Sequence, residues 1–113
     1  MVEAAPVPDL IAAADLAIRA LIAQLAPQAI VWFGSVANGH ARADSDLDFL
    51  IIASRQSGSR QALLRRARRA VWELRVPIDF LLYYPDEVAQ RRTIVGHVVE
   101  GALRTGKVVH GAI

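Results

Sequence analysis

The chain has 113 residues, a net charge of +2 and 54% apolar side chains, enough for one domain with a filled core. It has no cysteine, which excludes disulfides and thiolate metal sites. No apolar run approaches the ~20 residues of a membrane span, and the first nine residues lack the basic start and apolar centre of a signal peptide, so a cytoplasmic location is the expectation.

Residues 1–8 read as a short disordered lead because of Pro6 and Pro8, and residues 9–113 as the folded domain. Asp9 can cap a helix. Ile11, Ala14, Ile18, Leu21, Ile22 and Leu25 then share one helical face, and Pro27 ends that helix near Ala26. Ile30–Phe33 is a short, wholly apolar first strand, of the kind buried on both faces. Gly34-Ser35 breaks it, a short helix over Val36-Ala37-Asn38 is expected, and Asn38 to Arg42 reads as a turn. Asp46–Ala53 is the second strand, followed by a loop over Gln56–Ser59. A second long helix is expected from Arg60 to Leu74, with Leu63, Leu64, Ala67, Ala70, Val71 and Leu74 as its apolar stripe. Pro77 opens a third strand, Ile78 to Tyr83. Pro85-Asp86-Glu87 has the form of a helix start. That helix is expected to reach Arg104, with Gly96 as its weak point. Gly106 is the expected residue past its end, and Lys107-Val108-Val109 suits an edge strand. The fold class is therefore α/β (α+β), a single domain with a small mixed sheet flanked by helices.

The chemistry concentrates between Ile30 and Ala53. Side chains two apart on a strand share a face, so Asp46 and Asp48 project together while Leu47, Phe49 and Ile51 point into a core. Two carboxylates held together resist joint ionisation. A divalent cation relieves that, and Mg²⁺ prefers oxygen ligands together with substrate phosphates. Gly34 permits close backbone approach, and Ser35 with the free N–H groups of the following turn suits a phosphate. Phosphate at the turn and metal at the strand make a phosphoryl- or nucleotidyl-transfer site. Asp79 is a third acid, lodged inside the apolar strand PIDFLLY, where burial and propensity disfavour it. By itself it reads as a paired strand-end aspartate; beside Asp46 and Asp48 it reads as part of their site.

Gly34-Ser35, ten residues, then Asp46-x-Asp48 resembles the signature of the minimal nucleotidyltransferases, small members of the DNA polymerase β superfamily. The resemblance runs from about Leu10 to Gly111 in the order of elements, and it implies the polymerase β-like nucleotidyltransferase fold. It further implies two Mg²⁺ ions held by Asp46 and Asp48, with Asp79 joining one of them and helping to activate the attacking hydroxyl. Gly34 and Ser35 would hold the triphosphate of an NTP, with ATP the expected substrate, and Asn38 and Arg42 are further candidates for nucleotide contact. Stand-alone members of the family resemble antitoxins of two-gene modules whose partner is an all-helical HEPN toxin. Their precedent is transfer of AMP to a tyrosine of that toxin. The alternative is a non-enzymatic antitoxin that neutralises its partner by stoichiometric contact. Larger relatives carry an acceptor-binding domain; none is evident here, so acceptor recognition is expected from another chain or is absent.

The remaining residues have plainer readings. Arg55 to Arg75 holds seven arginines against Glu73 alone. That helix could be a solvated face, a surface for an acidic protein or a nucleic-acid surface. Nucleic-acid binding by the isolated chain is not expected, because Trp72 is its one aromatic and stacking on single strands needs more. Hetero- or homo-oligomers remain open. Asp44 and Ser45 suit the entry to the second strand. Trp32, Phe33, Phe49 and Phe80 read as core, Tyr83 and Tyr84 as packing residues at a strand exit. His40 has no second histidine near it, and His97 and His110 read as ordinary helix and tail residues.

Overall fold

The computed structural model describes residues 9–42 and 45–113. The expected lead at residues 1–8 and the role assigned to Asp44 lie outside the described residues.

Asp9 caps α1 (Leu10–Leu25), its carboxylate accepting from the Ala12 N–H at 3.0 Å. The helix ends at Ala26, which takes up left-handed backbone at φ 45° ahead of Pro27. β1 (Ala29–Phe33) runs into α2 (Gly34–Ala37). β2 (Leu47–Ile52) starts one residue later than the apolar pattern suggested, so Asp46 precedes the strand. Ser59 caps α3 (Arg60–Val71), accepting from the Ala62 N–H, and a tight turn over Trp72–Leu74 extends it. Beyond β3 (Ile78–Tyr83) the expected long helix is two helices, α4 (Pro85–Arg91) and α5 (Val98–Thr105). Gly96, at φ 86°, makes the break. His97 then starts α5, its Nδ1 accepting from the Val99 N–H at 3.0 Å. β4 (Lys107–Gly111) closes the described chain and is longer than expected.

The sheet order is β3-β2-β1-β4. β1 pairs antiparallel with β2 and β4, and β2 pairs parallel with β3. A parallel pair needs a crossover, and α3 supplies it. The alternation along the strands sorts the core into two layers. Ile30, Leu47, Phe49, Ile51 and Leu82 face α1 and α3, meeting Leu21, Leu63 and Ala67. Phe49 and Phe80 stack there with ring centres 6.4 Å apart. Val31, Leu50 and Ile52 face the other way, against Val88 of α4 and Val99 and Ala102 of α5. Each fully buried Leu, Ile or Phe contributes roughly 1.5–3 kcal/mol, so both layers are needed to hold the sheet.

Trp32 and Phe33 are only partly buried, one in each layer. Among the described residues the Trp32 indole N–H finds no acceptor, while the Lys107 ammonium sits 5.9 Å from its ring. No helix is long and apolar enough to cross a membrane among the described residues.

Candidate active site

The second strand is apolar on both faces except at its start, where one face ends in acids. Leu50 and Ile52 lie in the layer under α4 and α5, so Asp48, in phase with them, opens on that same face. Leu81 and Tyr83 put Asp79 on it as well. The register makes Asp48 and Asp79 direct partners across the parallel pair, on strands whose spacing is about 4.8 Å. Asp46 stands two residues upstream of Asp48 and is near enough to act on it electrostatically.

The antiparallel neighbour brings the turn to the same place. Phe33 is the partner of Asp48 in β1, so the next residue, Gly34, arrives beside the Asp48 side chain. Gly34 has φ 87°, and a β-carbon built on it would overlap Asp48 Oδ2 and stand 3.0 Å from its Cγ. Glycine is therefore required twice over here, for conformation and for space. Gly34 is half-buried and Ser35 is exposed, so the bend faces solvent.

The electrostatics follow from this packing. Burial, then the charges of Asp79 and Asp46, push the Asp48 carboxyl up from 3.8 to about 6. No lysine or arginine among the described residues forms an ion pair with it. A carboxylate in that state calls for a cation, and an all-oxygen donor set suits a hard divalent ion. The residues present fit such an ion by their chemistry. They are not drawn into a finished site: among the described residues no three His, Cys, Asp or Glu side chains form a metal-ligating group.

The structure thus brings together Gly34, Asp46, Asp48 and Asp79, with Ser35 next in the chain. Asn38 closes α2, its N–H bonded to the Gly34 carbonyl at 3.1 Å, and its side chain is exposed. Arg42 is exposed too, in a turn where its N–H donates to Ser45 Oγ at 2.7 Å. A feature the sequence reading missed is a cleft of about 300 Å³ between Phe33 and α5, lined by His97, Glu100 and Arg104. It borders the carboxylate row through Phe33. Its only sequence signal was Gly96-His97, which marks a helix break rather than a cleft.

The arginine stretch is split between tasks. α3 packs on the face opposite the carboxylates. Arg55 pairs bidentately with Asp86 at 2.9 and 2.8 Å, and Arg60 pairs with Glu87. The Arg55 guanidinium lies 4.3 Å from the ring centre of Tyr84, which is buried as expected of a packing residue.

The model of the nucleotidyltransferase domain family matches residues 17–100, a span that includes the Gly-Ser bend and all three aspartates. No curated protein matches the chain. A solved structure provisionally described as a minimal nucleotidyltransferase is similar to it, with 27% identity and a TM-score of 0.60, over 93% of this chain and 98% of the other. The chain belongs to the nucleotidyltransferase domain family, with the fold of a minimal nucleotidyltransferase.

Proposed function

We propose that this chain transfers AMP from ATP to a hydroxyl of a partner protein, a tyrosine of a HEPN-type toxin, and acts as the antitoxin of that pair. The observation that carries the transfer is the in-register placement of Asp48 and Asp79 beside a glycine whose missing side chain lets the bend close onto the Asp48 carboxylate.

Gly34 and Ser35 hold the triphosphate, with Asn38 and Arg42 as outer contacts. Asp46, Asp48 and Asp79 hold two Mg²⁺ ions, which when bound neutralise the triphosphate and polarise the α-phosphate. The acceptor hydroxyl oxygen forms a bond to the α-phosphorus. The bond to the oxygen bridging the α- and β-phosphates breaks, and pyrophosphate leaves. The hydroxyl proton passes to a carboxylate, and exposed Asp79 is the one an incoming acceptor reaches first. The protein's share is positioning and charge, as in other phosphoryl transfers. A cytoplasmic location belongs to the same proposal.

A second reading has one observation in its favour. The described residues contain no assembled metal-ligating group, which suits a binding module that silences its partner by contact alone. Mass spectrometry of the partner after incubation with ATP and Mg²⁺ separates the two. The transferase reading expects an added AMP that disappears with Asp46→Asn and Asp48→Asn. Silencing without any added mass, unchanged in those variants, supports the binding module.

A further inference from the structure

Among the described residues β3 is an edge of the sheet, with β2 on one side and no strand on the other. The direction of its backbone groups follows from two bonds. The Leu47 N–H donates to the Pro77 carbonyl at 2.9 Å and the Ala53 N–H to the Tyr83 carbonyl at 3.2 Å. In a strand, the N–H and C=O of one residue point to one side and those of the next to the other. Residues 77, 79, 81 and 83 therefore address β2, and Ile78, Phe80 and Leu82 address the outside. The Leu82 carbonyl is taken by Arg60 Nε at 3.0 Å. Among the described residues the outward N–H and C=O of Ile78 and Phe80 have no strand to pair with.

Two open clefts lie along this same edge. One, of about 570 Å³, is lined by Arg68, Trp72, Arg75, Ile78 and Phe80. The other, of about 400 Å³, is lined by Arg60, Phe80, Tyr83 and Arg91. Phe80 belongs to both, so they form one groove, with Arg68 and Arg75 at one end and Arg60 and Arg91, both paired with Glu87, at the other. Trp72 is 80% exposed at its wall, an indole left uncovered by the rest of the chain. Natural proteins blunt free edges of this kind; among the described residues only the Leu82 position is occupied.

We propose that this groove binds an extended, acidic segment of the acceptor protein as a fifth strand on β3, which presents a hydroxyl side chain to Asp79. The proposal rests on the transferase reading for its outcome but not for the binding itself. Three observations favour a peptide. Unpaired donors and acceptors alternate along the edge, and only another backbone supplies both in return. Arg68 and Arg75 at one end complement an acid next to an apolar centre. Side chains directly opposite on neighbouring strands share a face, so the residue added across from Asp79 projects onto the carboxylate row. A nucleic-acid strand does not repeat a donor and an acceptor at the spacing of a β-strand, and a single ring gives only one base a stacking partner.

The test uses the purified chain, isotopically labelled, and a capped heptapeptide with glutamates at both ends, valines within and a central tyrosine. Amide exchange and chemical shifts are followed by NMR. Exchange at Ile78 and Phe80 is expected to slow at least tenfold on saturation. A peptide methylated at alternate backbone nitrogens is expected to give no protection. Arg68→Glu with Arg75→Glu, both on exposed side chains, is expected to weaken binding about tenfold, equal to ~1.4 kcal/mol. Asp48→Asn is expected to leave binding intact. Binding without transfer of AMP to the tyrosine keeps the groove and overturns the placing of its hydroxyl at Asp79, while transfer to the partner protein tests the transferase reading by itself. Transfer to a partner protein with both amides unprotected removes the groove and leaves the transferase standing. Protection that rises with protein concentration alone, with a dimer in sedimentation, assigns the edge to a second copy and overturns the proposal. So does stronger protection by a single-stranded RNA decamer.

Discussion

Asp48 and Asp79 are register partners on adjacent parallel strands, on one face of the sheet, although thirty residues of loop and arginine-rich helix separate them in the chain. Two acids side by side at the open end of a packed layer are costly unless a ligand uses them. The carboxyl of Asp48 already registers the cost, raised to about 6 by burial and by its acidic neighbours.

The first prediction concerns pH. In the folded chain Asp48 holds its proton up to about 6, against 3.8 ordinarily. Folding is therefore unpenalised by this group at low pH, and the penalty grows as pH rises through that window and is full above it. At full strength the difference is roughly 3 kcal/mol; partial exposure trims it to about 1 kcal/mol. Asp48→Asn is expected to raise Tm above pH 6 in metal-free buffer and to do little near pH 4. Thermal unfolding from pH 4 to 8 checks this.

Gly34→Ala meets both a left-handed φ and the Asp48 carboxylate. The backbone conformation alone costs roughly 1–2 kcal/mol, and relieving the overlap adds to it. A fall in Tm of about 10 °C is expected, with loss of nucleotide binding by calorimetry. Gly39→Ala, where nothing stands within 4 Å, is the control for φ alone.

Glu87 joins two helices. Its carboxylate accepts the Tyr84 N–H at 2.9 Å at the start of α4 and the Arg60 guanidinium from α3. Its side chain is only 14% exposed, and these bonds hold its acid below the ordinary range despite opposing burial. Glu87→Ala is expected to cost about 1–3 kcal/mol in urea unfolding. Asp15→Ala, which breaks an exposed pair with Arg19 on one helix, is expected to cost under ~0.5 kcal/mol.

Leu63 of α3 is fully buried against α1 and the sheet. Leu63→Ala is expected to destabilise the chain by about 2–5 kcal/mol, checked by the same unfolding curves. Trp72→Ala, a few turns on but exposed, is expected to be nearly neutral in stability.

Much of this was readable from local pattern. The alternation Asp46-Leu47-Asp48-Phe49 told which side chains face the core, and a lone acid in PIDFLLY pointed to Asp79. Elements bounded by Asp9, Ser59, Pro77 and Pro85 fell close to their places, because capping groups and prolines act over a few residues. What pattern could not supply was register. Nothing local says that residue 48 stands opposite residue 79, or that Gly34 arrives against Asp48, since both depend on strand order. The break at Gly96 was visible only as a weak point, because the capping bond that completes it comes from His97, a residue with little helix-start signal. Arg55 and Arg60 looked like part of one charged face. Their partners Asp86 and Glu87 lie some thirty residues on, and only the fold joins them.

The central claim is that the carboxylate row beside the glycine bend performs nucleotidyl transfer. Transfer of label from α-phosphate-labelled ATP to the partner protein, with Mg²⁺, tests it most directly. The account predicts label on the partner with the native chain and none with Asp48→Asn, at unchanged fold by circular dichroism. Equal labelling by the native chain and the Asp48→Asn variant would contradict it.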